Sequence, residues 1–277
     1  MTLLSLATEF TTDSRTASGA GPLAPGSVFI ISCAASAHSS DDRFIGDDQN
    51  PLIHWVWDLV VKNPRTAMCR ALWPLVITGP NGVGKSVLAR CLARQLQSTF
   101  KGEIISVSVD DFFRSSQAAG DVNALDEWVS RHLRAAVLVL DQVSRLADFP
   151  VAEHLLCEII DQRVESGLPT IFLSIDPPCH LRVVDRLASR LSQGLWCPVS
   201  LPGPAALSVV IGEAFGRLNV PIGEAEIQWL ISCRPSFATI QQLASRWLLE
   251  HGRVPFDWSL ASEGLRGLLG SAVPPAV

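Results

Sequence analysis

The stretch Gly79-Pro80-Asn81-Gly82-Val83-Gly84-Lys85-Ser86 constrains this chain more than any other. It fits the phosphate-binding pattern of glycine, four residues, then Gly-Lys-Ser. An apolar run, Leu75-Val76-Ile77, precedes it and predicts a buried strand. A helical pattern follows, with Val87, Leu88, Cys91, Leu92 and Leu96 at three- and four-residue spacing. Strand, loop and helix together require an α/β fold in which successive backbone N–H groups converge on an anion. In that reading the nucleotide-contacting set is Gly79, Pro80, Asn81, Gly82, Val83, Gly84, Lys85, Ser86 and Val87. Lys85 can neutralise the β- and γ-phosphates of a nucleoside triphosphate, and the Ser86 hydroxyl can ligate Mg²⁺.

Length and charge bound the rest. A chain of 277 residues can bury a sizeable core without disulfides, and its seven scattered cysteines form no Cys-x-x-Cys pair. They read as small buried hydrophobes of a cytoplasmic protein. No apolar run approaches the roughly 20 residues that span a bilayer, so no membrane segment is expected. The net charge of −5 argues against duplex DNA binding through a strongly basic face.

Further along, Thr11 to Ser27 lacks periodicity and predicts a disordered leader over residues 1–27. Val28 to Ile31 is a candidate short strand, and Ala34 to Asp42 is polar and small. Leu52, Trp55, Val56, Leu59 and Val60 share one helical face, with Asp48 or Asn50 as a possible cap. Glu103 to Val109 predicts a strand, and the pair Asp110-Asp111 opens a helix, as an N-cap more readily than as a catalytic pair.

Ala135 to Leu140 is apolar on every side and predicts a central strand. It ends in Asp141, which either holds Mg²⁺ through water or caps the next turn. The next residue, Gln142, can orient a water but cannot take its proton. Ala152 to Val164 reads as a helix and Leu168 to Ile175 as another strand. Arg182, Arg186 and Arg190 fall at four-residue spacing within a predicted helix from Leu181 to Leu195. They form either a solvated basic stripe or a contact across an interface, since Arg186 and Arg190 have no acid three or four residues away. Three helical segments follow at 207–218, 224–233 and 236–250, with a tail over 251–277 that holds a candidate short helix near 263–269.

These pieces resemble the ATPase module of DnaA-type replication initiators, within the AAA+ class of P-loop NTPases. The resemblance rests on Phe44-Ile45-Gly46 with Asn50, Asn63-Pro64, the phosphate loop and Leu140-Asp141-Gln142-Val143 with Arg145-Leu146-Ala147. It continues through Leu173-Ser174-Ile175-Asp176-Pro177-Pro178 and Asp185-Arg186-Leu187-Ala188-Ser189-Arg190-Leu191. It implies a five-stranded parallel sheet over residues 28–201 and a three-helix lid over 202–250. Phe44 and Ile45 would lie beside the adenine, and Lys85, Gln142, Asp176 and Arg190 would act in catalysis. Arg190, with Arg186, would reach the nucleotide of a neighbouring copy in a head-to-tail oligomer.

Three departures stand out. Gln142 replaces a second acid, Thr239 stands where a lid arginine is expected, and too few residues follow Glu250 for a duplex-reading domain. The expected function is ATP binding with slow hydrolysis, acting on replication proteins in initiation or its regulation, without sequence-specific duplex binding. Two alternatives stay open: a nucleotide-stabilised scaffold, and a helicase-loader-type ATPase gripping single-stranded DNA.

Overall fold

A computed structural model describes residues 23–32 and 43–269. Most of the expected leader (1–22), residue 33 with the whole polar stretch (34–42), and the final residues (270–277) lie outside the described residues. Residues 23–27, inside the expected leader, form a turn in which the Ser27 N–H donates to the Ala24 carbonyl at 3.0 Å.

The turn feeds β1 (Val28–Ser32), which pairs antiparallel with β2 (Arg43–Asp47). Then come α1 (Pro51–Lys62), α2 (Ala67–Arg70), β3 (Leu75–Thr78), α3 (Lys85–Phe100), β4 (Ile104–Ser108), α4 (Val109–Ala118) and α5 (Val122–Arg134). The core continues through β5 (Val137–Asp141), α6 (Pro150–Glu165), β6 (Thr170–Ser174), α7 (Asp185–Gln193) and β7 (Trp196–Pro198). The lid holds α8 (Pro204–Arg217), α9 (Glu224–Ser232), α10 (Phe237–His251) and α11 (Glu263–Leu269).

The main sheet has the order β4-β5-β6-β3-β7, and every pair is parallel. Its central strands are apolar throughout because helices cover both faces. Alternation along each strand deals residues to the two layers. Leu75, Ile77, Val137, Val139, Ile171 and Leu173 join α3 and α1 on one side. Val76, Leu138, Leu140 and Phe172 meet α6 and α7 on the other. Burying each such side chain contributes about 1.5–3 kcal/mol.

Several elements differ from the sequence pattern. The helix expected from Leu181 begins only at Asp185, because the segment after Pro177-Pro178 forms a short 3₁₀ turn and an extended link. Arg182 therefore lies outside α7, and the expected three-arginine stripe is reduced to Arg186 and Arg190. No side chain on α7 caps its start. Instead the buried Glu153 carboxylate of α6 accepts the Val184 N–H, placing negative charge at the positive helix end. At α4 the cap is Ser108, which accepts the Asp111 N–H at 3.1 Å, while Asp110 pairs with Arg145.

Helix α5, absent from the sequence-based expectations although Leu125, Trp128, Val129 and Leu133 fall at helical spacing, is capped by Asp121 accepting the Ala124 N–H at 2.9 Å. One side chain secures its far end. Arg163 of α6 is fully buried and donates to the carbonyls of His132, Leu133, Ala135 and Pro169 and to the Thr170 hydroxyl. Most of these acceptors are the otherwise unpaired carbonyls at the negative end of α5.

The lid exceeds the three expected helices. Phe256, Ala261, Leu265 and Leu269, all within the expected tail, are buried in the same apolar cluster as Ile211, Leu243 and Trp247. Between core and lid, the Asn50 side-chain oxygen accepts the Ser200 N–H at 2.9 Å and Asp47 accepts the Gly203 N–H at 2.6 Å. The link into α8 is thus tied to the residues that follow β2.

Candidate nucleotide site

The loop from Gly79 to Gly84 joins β3 to α3 at the C-terminal edge of the sheet, where open α/β sheets place ligands. Gly84 takes a left-handed conformation, φ 97° and ψ 9°, and Lys85 opens the helix directly after it. A Cβ on Gly82 would lie 2.7 Å from the Ser236 hydroxyl oxygen and 3.0 Å from the Ala238 Cβ. Only glycine lets the start of α10 rest this closely on the loop.

The loop's charges are already arranged. The Lys85 ammonium donates to the Gly79 carbonyl at 2.6 Å and to the Pro80 carbonyl at 2.8 Å. Burial pushes its pKa down, and the nearby Asp141 carboxylate pulls it back up. Ser86 Oγ donates to Asp141 Oδ2 at 3.1 Å, and the Gln142 N–H donates to Asp141 Oδ1 at 2.7 Å. Gln142 itself is left-handed at φ 63°, an uncommon conformation for a residue with a side chain. Ser86 and Asp141 together offer hard oxygen donors, a set that suits Mg²⁺, which keeps several waters and takes few protein ligands.

A cavity of about 710 Å³ opens over this loop. Its floor is Asn81, Gly82, Gly84, Lys85, Ser86 and Val87, with Asp141 and Gln142 at one edge. Arg43, Phe44 and Ile45 of β2 form one wall, and Glu213, Arg217, Phe237 and Ala238 of the lid form another. Most of the expected residues are brought together here. Val83 is not, since its side chain is fully buried in the core and only its backbone can serve the loop. Gly79 and Pro80 contribute carbonyls to Lys85 rather than cavity surface. Asp176 does not line the cavity either. It is exposed past the end of β6, and its N–H donates to the Ser174 hydroxyl at 3.1 Å.

A sequence profile of the bacterial DnaA ATPase domain matches residues 37–198, more than half of the chain. The chain belongs to the bacterial DnaA ATPase domain family. It is 23% identical over 130 residues to the chromosomal replication initiator protein DnaA of Treponema denticola. That alignment covers 47% of this chain and only 28% of the relative. Among solved structures, domain III of the Thermotoga maritima DnaA superposes with a TM-score of 0.65 at 17% identity, covering 81% of this chain and 92% of that one. A replication initiator DnaA bound to AMPPCP and single-stranded DNA superposes with a TM-score of 0.62 at 21% identity, covering 73% of this chain and 61% of that one. At such identities the likeness establishes the fold.

Against the DnaA pattern, the lid needs one correction. Thr239 does not face the cavity. Its hydroxyl meets the Ser236 hydroxyl at 2.9 Å and its N–H donates to Ser236 Oγ at 3.2 Å, completing the α10 cap. The first-turn residues on the cavity are Phe237 and Ala238, and the Ala238 N–H donates to the Gly82 carbonyl at 3.4 Å. The lid still brings a cation, but from α8. Arg217 lines the cavity and pairs with Glu213 at 3.4 Å, and Glu213 reaches Arg43 of β2 at 3.2 Å. This bridge across the cavity mouth was not among the expected site residues. Its sequence signal was the four-residue spacing of Glu213 and Arg217, common on any solvated helix.

Arg186 and Arg190, which have no acid three or four residues away in the sequence, both pair with the distant Asp161 of α6. Neither lines this chain's own cavity. Among the described residues, no helix is long and apolar enough to cross a membrane.

Proposed function

We propose that the cavity between the phosphate loop and the lid binds Mg·ATP, and that the chain acts in initiation of chromosomal replication or its regulation. One observation carries this reading. Lys85, Ser86 and Asp141 line one cavity, which the first turn of α10 also lines. Lys85 and the N-terminus of α3 hold the phosphates, and Phe44 and Ile45 flank the adenine. Ser86 and Asp141 would hold Mg²⁺, which would supply charge neutralisation at the β- and γ-phosphates. Arg217 adds positive charge from the lid. Arg190, with Arg186, reaches the polyphosphate held by a second copy, which favours head-to-tail association when ATP is bound.

Hydrolysis is slow on this reading. Gln142 stands at the cavity edge, where it can hydrogen-bond an attacking water but cannot accept its proton. Replacing it tests the point cleanly, because aspartate tolerates the left-handed backbone that Gln142 adopts. Gln142→Asp should raise steady-state ATP turnover about tenfold or more, a conservative share of what a general base contributes. Turnover equal to or below wild type would remove the proton-accepting deficit as the cause.

The functional reading is tested by measuring oligomer size with ATP and with ADP, and hydrolysis with and without single-stranded DNA. Larger assemblies with ATP, at low turnover, support it. A monomer in every nucleotide state contradicts the assembly reading. Turnover strongly stimulated by single-stranded DNA favours the loader-type alternative.

A further inference from the structure

Helices α6 and α7 meet around a single carboxylate. Arg186 Nη2 donates to Asp161 Oδ2 at 2.6 Å, and Arg190 Nε donates to Asp161 Oδ1. The guanidinium of Arg190 is held a second time, with Nη1 donating to Gln193 Oε1 at 3.1 Å. The side chain of Asp161 is only 16% exposed, whereas Arg190 and Arg186 are 36% and 57% exposed. Burial would raise the Asp161 carboxyl, but the bonds from the two arginines outweigh it and hold the group below its ordinary carboxylate value.

Two guanidinium groups four residues apart on one helix repel each other. A carboxylate between them removes that repulsion and lets both side chains settle on one face of α7. It does not exhaust them, because each guanidinium has five N–H donors and the triad keeps a net positive charge. The arginines also lose side-chain freedom within the isolated chain, so less remains to be lost on association.

We propose that Asp161 is a positioning residue for the contact between copies: it gathers Arg186 and Arg190 and presents their net positive charge to the polyphosphate held by a second copy of the chain. This rests on Arg190 acting between copies, and the two ideas can fail separately.

The test measures self-association by light scattering with ATP and with ADP, for wild type, Asp161→Asn, Asp161→Glu and Arg190→Ala. Asp161→Asn should raise the concentration for half-association with ATP about tenfold, the scale expected when long side chains must be ordered anew. Association with ADP, the thermal midpoint and Mg·ATP affinity should stay close to wild type. Asp161→Glu, which keeps the charge, should recover most of the association.

Tighter or unchanged association in Asp161→Asn would overturn the proposal. So would a loss of association matched by a lower thermal midpoint, which marks a merely structural role. If Arg190→Ala leaves ATP-dependent association intact, the contact between copies is what fails.

Discussion

Arg163→Met is expected to destabilise the fold by about 3–5 kcal/mol, a large part of a typical domain stability of about 5–15 kcal/mol. The side chain is fully buried and its charge is matched by no carboxylate among its hydrogen-bond partners. It is satisfied by four backbone carbonyls and the Thr170 hydroxyl. Burial pushes its pKa down to about 10, so it stays protonated at neutral pH. Methionine would fill much of the volume, and replacing a buried charge by an apolar group is sometimes harmless. Here the carbonyls at the end of α5 would lose their donor while remaining buried, at about 1–3 kcal/mol for each unsatisfied group. Arg163→Lys should fall between, since one ammonium cannot reach all five acceptors. Urea unfolding followed by circular dichroism measures both variants. A Met variant within about 1 kcal/mol of wild type would show that the network is dispensable.

Lys85→Ala is expected to lower Mg·ATP affinity at least about 30-fold, since losing one partner of a desolvated charge contact costs about 2–5 kcal/mol. The ammonium is nearly buried, and its bonds to the Gly79 and Pro80 carbonyls hold it at the mouth of the loop. Triphosphate oxygens would find this charge already desolvated and in place. The substitution also frees those two carbonyls, so thermal midpoints should be recorded beside the calorimetric titration. An affinity within fivefold of wild type, in a variant that melts normally, would mean that the phosphates do not sit at Lys85.

The central strands and the phosphate loop were legible because their patterns are local. A strand covered on both faces must be apolar throughout, as Val137 to Leu140 and Ile171 to Leu173 are. The loop needs glycine at fixed positions, whatever surrounds it. What escaped the sequence depends on partners far away in the chain. Asp161 meets Arg186 and Arg190 across 25 and 29 residues, a pairing that their true lack of local acids does not reveal. Strand β7 has only three residues and no pattern to betray it. In the lid, a register difference of one residue separates Thr239, spent on the α10 cap, from Ala238 on the cavity. Asp141 ends an apolar strand, but Asp176 comes two residues after the end of β6 and lies exposed outside the cavity. In the segment after His251 the helix near 263–269 was legible, but not that Phe256 and Leu265 are buried in the lid core.

The central claim is that nucleotide binds between the phosphate loop and the lid. Hydrogen exchange of the wild-type chain, with and without saturating Mg·ATP, tests it most directly. Amides of residues 82–88, of Arg43 to Ile45 and of the first turn of α10 should exchange more slowly with nucleotide, while those at the start of α9, away from the cavity, should not change. Unchanged exchange at residues 82–88 and in α10 under saturating Mg·ATP, or protection confined to another part of the chain, would contradict the account.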